Sequence, residues 1–299
     1  MPSRRHEFLA TAIPKLRKAR DLESEPIERV RVEALHRSRR VELPTRAVPR
    51  FDRRFSVVTE DLGFPSYVIT PRHVEPTRTL YYVHGGAFMA GIDAFQVRHA
   101  TRLASRIGAR VVMPDYPLAP EHTWRDSHDA LVEQAGRFAD LAGGIVLAGD
   151  SSGGGLALAV ALSMRDRGLT QPTHLVLHAP WVDLTTSTPE TLELDAVDPW
   201  LFYSKLTVYA EWWAGSAADL GRPEVSPALA DLHDLPRALQ LYGSRDLLAP
   251  GCRLLAKRAA DAGWDLTSIE EPDLIHVYGV LPFIPEAGRA MRQIVEFVS

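Results

Sequence analysis

Cysteine is almost absent from the chain. Cys252 is the single one in 299 residues, which excludes an internal disulfide framework, fits a reducing compartment and leaves Cys252 as a small, partly buried helix residue. Long hydrophobic runs are lacking too. None approaches the ~20 apolar residues that cross a bilayer, and the N-terminal MPSRRHEFLATAIPKLRK has neither an uninterrupted apolar region nor a small-residue cleavage site. A cytoplasmic protein without stable membrane insertion is the expectation. The chain has no HExxH, no cluster of Cys and His, and no GxGxxG turn, so no metal and no cofactor are expected. Internal repeats and low-complexity tracts are missing as well.

What is present is an ordinary globular composition, 45% hydrophobic and 24% charged, long enough for one large domain with an excursion. The net charge of −4 is unevenly spread: residues 1–54 hold 15 Lys or Arg against 8 Asp or Glu, leaving −11 on the remainder. A basic front can seek nucleic acid or anionic lipid. Here Glu23, Glu25, Glu28 and Glu33 interrupt the cations, and aromatics are not interleaved with them. A solvated helical face is therefore expected, with no nucleic-acid partner. Pro26 suits a first helical position, and Ile27, Val30, Ala34 and Leu35 share one side of a helix that fades near Arg39 and is expected to dock. The stretch around Leu9, Ile13 and Leu16 has the same character, broken by Pro14.

From Arg54 the period changes to that of strands. Phe55 and Val57, then Tyr67 to Ile69, read as an antiparallel start around Gly63 and Pro65. Strands then alternate with helices: Thr79–Val83, a helix through Val97–Ile107, Arg110–Met113, a helix over 127–141, Ile145–Leu147, a helix from the small residues that follow, and Leu175–Ala179. After a gap come Ala238–Tyr242, a helix over 251–262, Leu266–Ile269 and a closing helix through Ala290, Met291, Ile294 and Val298. The alternation predicts an α/β fold with a mostly parallel sheet covered on both faces. Over about 183–223 it lapses into a segment with Trp200, Phe202, Tyr203, Tyr209, Trp212 and Trp213. That segment reads either as an inserted lid partnered by the N-terminal helices or as one extra core helix.

The stretch Ile145 to Leu156, IVLAGDSSGGGL, carries the chemistry. Strand, sharp turn and helix make a nucleophile elbow with Ser151 at its tip, where Gly149 and Gly153 leave room for neighbouring backbone. A serine hydroxyl needs a base, and the base an orienting carboxylate. Of the histidines after Ser151, His174 and His178 lie in a strand and His233 precedes a turn, leaving His276 in the loop of DLIHVY as the base. Asp246, closing the Ala238 strand in GSRD, is the first choice of acid, with Asp183 and Asp273 as alternatives. Charge on a substrate carbonyl oxygen would meet backbone donors at Gly85, Gly86 and Ser152.

Taken together, HGGAF at His84–Phe88, DYPLAPEH at Asp115–His122, GDSSGG at Gly149–Gly154, APWVDL at Ala179–Leu184, GSRDLL at Gly243–Leu248 and His276 resemble the hormone-sensitive-lipase-like (bacterial family IV) branch of the α/β-hydrolases, in collinear order from about Leu80. The resemblance implies an eight-stranded sheet, a helical cap from residues 1–50 and the 183–223 insertion on a catalytic domain over 51–299, and a Ser151, His276, Asp246 triad. It also implies hydrolysis of short- to medium-chain acyl esters through an acyl-enzyme, with a small-molecule ester as the partner and Glu121 as a structural residue. Departures are Ala87 where relatives carry a third glycine, Ser152 for alanine, Leu247 for proline, and Val277-Tyr278 after the histidine. Ala87, Phe88, Trp212 and Trp213 are then the expected substrate pocket. A homodimer through the sheet edge follows from fold analogy alone. Two rival readings are a deacetylase or amidohydrolase of a specialised metabolite, and a non-catalytic small-molecule receptor, against which His276 counts.

Overall fold

β-branched and aromatic runs bounded by Gly, Pro and Asp build the strands, and each is buried according to its place in the sheet. A computed structural model of the chain describes residues 1–16 and 20–299. The helices α1 (Arg4–Leu16), α2 (Glu25–Ser38) and α3 (Phe51–Arg54) precede the antiparallel pair β1 (Phe55–Asp61) and β2 (Pro65–Pro71). Then follow β3 (Arg78–Val83), α4 (Ala94–Ile107), β4 (Ala109–Pro114), α5 (His128–Ala139), β5 (Ile145–Asp150), α6 (Ser152–Asp166) and β6 (His174–His178). Two further helices, α7 (Glu190–Leu194) and α8 (Tyr203–Ala214), lead to β7 (Ala238–Arg245), α9 (Ala249–Ala262), β8 (Leu266–Ile275) and α10 (Pro285–Val298).

The eight strands form one sheet in the order β1-β2-β4-β3-β5-β6-β7-β8, with β1–β2 and β2–β4 antiparallel and the other pairs parallel. Central strands are apolar on both sides because both sides are covered. Tyr81, Val83, Leu147 and Leu177 face a cluster shared with α5, α6, α8 and α9, while Leu80, Tyr82, Val146 and Val176 face α4 and α10. Helices are stopped as their residues dictate. Asp93 and Gln96 form a capping box at the start of α4, and Gly108 ends it in the left-handed region.

Three local expectations change. β8 continues to Ile275 rather than ending at Ile269; it is an edge strand, so the polar run Glu270–Asp273 can lie along it with one side open to solvent. The first helix runs through Pro14, anchored instead by buried His6 and Ala10. In α2 the side carrying Ile27, Val30, Ala34 and Leu35 faces solvent, and the docked side carries Glu28 and Val32. The reason is polar: Glu28 accepts from Arg31 and from Tyr209 of α8 and pairs with Lys205 at 3.2 Å. No helix among the described residues is long and apolar enough to cross a membrane.

Candidate active site

The register of the parallel strands brings the chemistry-bearing residues to one edge of the sheet. Val83 pairs with Gly149 and Asp150 with His178, so the loops after β3, β5 and β6 open side by side. At the far side a register shift between Gly243 and Arg245 makes Arg245 pair with Ile275. The residues that follow the two strands are Asp246 and His276. Gly243 is required at this shift, since a Cβ there would sit 2.0 Å from the Leu274 carbonyl oxygen.

Ser151 stands between β5 and α6 with φ 55° and ψ −127°, a conformation non-glycine residues avoid. The turn closes because a Cβ on Gly153 would lie 2.3 Å from the His84 carbonyl oxygen, and one on Gly149 2.3 Å from that of Gly153. Ser151 N–H donates to His178 O at 2.8 Å, and Ser151 O accepts from Trp181 N–H at 2.9 Å, so neighbouring loops hold the strained residue from both sides. Its Oγ lies 2.9 Å from His276 Nε2, and His276 Nδ1 lies 2.8 Å from Asp246 Oδ2. All three residues are buried. Leu248 N–H donates to the other Asp246 oxygen at 2.9 Å, leaving one oxygen for the imidazole. With Asp246 ionised, Nδ1 carries the proton and Nε2 is the acceptor facing the serine. Burial works against a charged His276, but the charge and hydrogen bond of Asp246, with Asp198 and Asp150 further off, outweigh it and raise its pKa.

The HGGA loop faces the elbow. Gly86, Ala87 and Phe88 all have positive φ (132°, 54° and 62°). Phe88 N–H donates to Ser152 Oγ at 3.3 Å, and Tyr116 OH to His84 O at 2.9 Å, which pins the loop to its neighbours. Gly85 departs from the expected donor set. Its N–H donates to Asp150 Oδ1 at 3.2 Å and is thereby occupied, while among the described residues the N–H groups of Gly86, Ala87 and Ser152 have no internal acceptor. Asp150 is a buried carboxylate that the sequence reading passed over as part of the motif. It also accepts from Tyr82 OH and Gln96 Nε2, and burial lifts its pKa against those bonds.

Ser151, His276 and Asp246 are thus brought together, whereas Asp183 and Asp273 are elsewhere: Asp183 holds the turn at Thr185 and Ser187, and the Asp273 N–H is bound by Ser244. The aromatics expected in the pocket make packing and polar contacts of their own. Phe88 stacks on Trp213 at 4.2 Å with a 4° tilt, both closed into the core. Trp212 donates to Glu25 Oε1 at 2.9 Å beneath Arg29. Trp212 and Trp213 lie on α8 and pack there, and Phe88 keeps its N–H on Ser152 while its ring is closed into the core. The aromatic that does reach the site is Trp200, whose ring meets that of His276 edge-on at 5.6 Å and 75°. Nothing in its local sequence marked it out from five other aromatics in the segment.

Known proteins share this fold. A family model described as the alpha/beta hydrolase fold matches residues 80–280. An esterase of Acinetobacter venetianus is 31% identical over 232 residues, covering 75% of each chain, and an acetyl-hydrolase of Streptomyces hygroscopicus is 32% identical over 248 residues, covering 76% of this chain and 80% of the relative. Among solved structures, a hormone-sensitive lipase from a metagenome library superimposes with a TM-score of 0.79 at 27% identity, over 100% of this chain and 98% of that one. Overall superposition and sequence kinship agree: the chain belongs to the α/β-hydrolase-fold family, on its hormone-sensitive-lipase-like branch, and is a carboxylic-ester hydrolase.

Proposed function

We propose that the protein is a serine esterase for short- to medium-chain acyl esters, working through an acyl-enzyme on Ser151. The observation that carries this reading is the continuous chain Ser151 Oγ–His276 Nε2–Asp246 at 2.9 and 2.8 Å, built on a serine held at positive φ. His276 takes the hydroxyl proton as Ser151 Oγ bonds to the acyl carbon, and returns it to the departing alcohol. Water then repeats the sequence in reverse, with His276 as base, and frees the acid. Asp246 holds the tautomer that leaves Nε2 open and stabilises the imidazolium.

Negative charge on the carbonyl oxygen would be met by the N–H groups of Gly86, Ala87 and Ser152, and each such donor is worth roughly 2.7 to 4 kcal/mol of barrier. Residues 1–50 and the 183–223 insertion form the cap over this edge; Trp200 against His276 and the Glu28–Tyr209 contact support that assignment. A second reading, removal of an acetyl group from a specialised metabolite, is favoured by the acetyl-hydrolase relative. Rates on p-nitrophenyl esters from acetate to laurate test both, with Ser151→Ala alongside. A short-chain maximum that falls at least about 10⁴-fold in the variant is expected. Activity confined to acetate points to the second reading, and a folded wild type inert on the whole series overturns the esterase reading.

A further inference from the structure

Asp198 lies in the loop between α7 and α8, 7% exposed, and no step above uses it. Its Oδ1 accepts from Trp200 N–H at 2.7 Å and Leu201 N–H at 3.0 Å, and its Oδ2 accepts from Leu247 N–H at 2.7 Å. The first two bonds are local and fold the segment that sets Trp200 against His276. The third crosses to the turn that carries Asp246. The consecutive N–H groups of Leu247 and Leu248 are shared out between two carboxylates, the first to Asp198 and the second to Asp246. A buried carboxylate takes up such a place only if donors satisfy it.

We infer that Asp198 is a positioning residue for the Asp246–His276 pair. Its ionised carboxylate clamps the Asp246 turn to the Trp200 segment and adds a second negative charge behind the imidazole. The inference rests on the serine-esterase reading and deepens it. In the resting enzyme the clasp fixes the Asp246 oxygen against Nδ1, and when His276 takes the serine proton, Asp198 stabilises the resulting imidazolium alongside Asp246. Both oxygens of Asp198 are needed as acceptors. An asparagine has one acceptor oxygen and one NH₂ donor, so whichever way it turns, either Leu247 or the Trp200–Leu201 pair faces a donor.

The charged groups acting on Asp198 are Asp246 and His276; burial first, then the charge of Asp246, pushes its pKa up to about 6. Asp198 is therefore ionised at neutral pH and, like His276, takes up a proton on the acid side. Two protons then inactivate the acid side of the pH profile, one on the base and one on the clasp.

The test is the pH dependence of kcat and kcat/KM on p-nitrophenyl butyrate for wild type, Asp198→Asn and Ser151→Ala, with folding checked by circular dichroism. The wild-type acid limb of log kcat/KM is expected to approach a slope of two, and D198N a slope of one, displaced to lower pH. Its kcat should fall about ten- to hundred-fold, the size of effect seen when a supporting hydrogen-bond partner is lost, with KM within about threefold. A residue holding the fold alone would lower thermal stability without changing the number of protons on that limb. A one-proton wild-type limb, or a folded D198N with wild-type kcat and limb, overturns the inference. Should D198N not fold, Asp198→Glu replaces it, keeping the charge on a longer arm. A two-proton limb with reduced kcat then supports the clasp, and wild-type kcat overturns it. If S151A keeps its rate, the serine reading itself fails; if S151A is inert while D198N behaves as wild type, Asp198 alone loses its role.

Discussion

In the proposed mechanism His276 acts as a base only when its Nε2 is free of a proton, so the direction of its pKa shift sets the working range. Its pKa stands above the ordinary 6.5 because Asp246, Asp198 and Asp150 together outweigh the burial that opposes charge. Activity should be present above the shifted pKa and be lost as pH falls through it, with half-maximal kcat/KM above pH 6.5; a limb at or below that value contradicts the assignment. Asp246→Asn can still accept from Leu248 N–H with its single oxygen, but then presents NH₂ to Nδ1 and selects the wrong tautomer. Its kcat is expected to drop about 10⁴-fold with the fold intact, as read by ester hydrolysis beside a melting curve. Ser152→Ala removes only the hydroxyl that receives Phe88 N–H and keeps the main-chain donor. The rate should change less than about threefold, whereas a loss near 10²-fold would mean that the side chain, not the backbone, meets the substrate oxygen.

The helix α2 is where element-level reasoning from sequence goes astray, and the cause is specific. A period of apolar residues names Ile27, Val30, Ala34 and Leu35 as the docked side, yet the helix docks through Glu28, whose partners Tyr209 and Lys205 lie some 180 residues away. No local window contains them. The strands and the Ser151, His276 and Asp246 positions were legible because each is marked by its neighbours, through apolar runs, close-packed glycines and strand ends. Trp200, Asp198 and the commitment of Gly85 to Asp150 were not, because each depends on a contact between distant loops. The Glu28 contact has a testable energetic side. Burial opposes its charge, but hydrogen bonds from Arg31 and Tyr209 and the charges of Arg31 and Lys205 prevail, holding its pKa down to about 2 against the ordinary 4.5. The stability it supplies is full above the unfolded-state pKa and is lost as pH falls toward the folded one. Glu28→Gln should cost about 2 kcal/mol at pH 7, lowering Tm by roughly 3 to 5 °C. The difference from wild type should shrink when the melts are repeated below pH 4.5.

Across the whole molecule, the N-terminal helices of the basic front meet the acidic remainder largely at polar seams, whereas Val48 and Phe51 further along the front join the core. Ser3 N–H and hydroxyl both donate to Glu286, Ile275 N–H donates to His6 Nε2 at 3.1 Å, His36 bridges Glu121 and the Met89 carbonyl at 2.8 and 2.7 Å, and Arg39 pairs with Asp115. Two of these abut the serine site, since Ile275 precedes His276 and Met89 follows the HGGAF segment. Among the described residues before Leu43, only Ala10 and Val32 are buried in the apolar clusters, with Leu9 and Ile13 packed against them partly buried. The sheet and its two helical layers should therefore survive removal of residues 1–42, while the loops that hold the proposed base and the proposed oxygen-binding N–H groups lose their outer supports. The expected outcome is a truncated protein that keeps its far-ultraviolet circular dichroism per residue and a cooperative melt at lower Tm. Its kcat/KM on p-nitrophenyl butyrate should fall at least about tenfold, the penalty for loosening the shell around a preorganised site. Full activity in a stably folded truncation would make the N-terminal helices a passive cover, and unfolding of the whole chain would show that the seams contribute to global stability, not only to the geometry of the site.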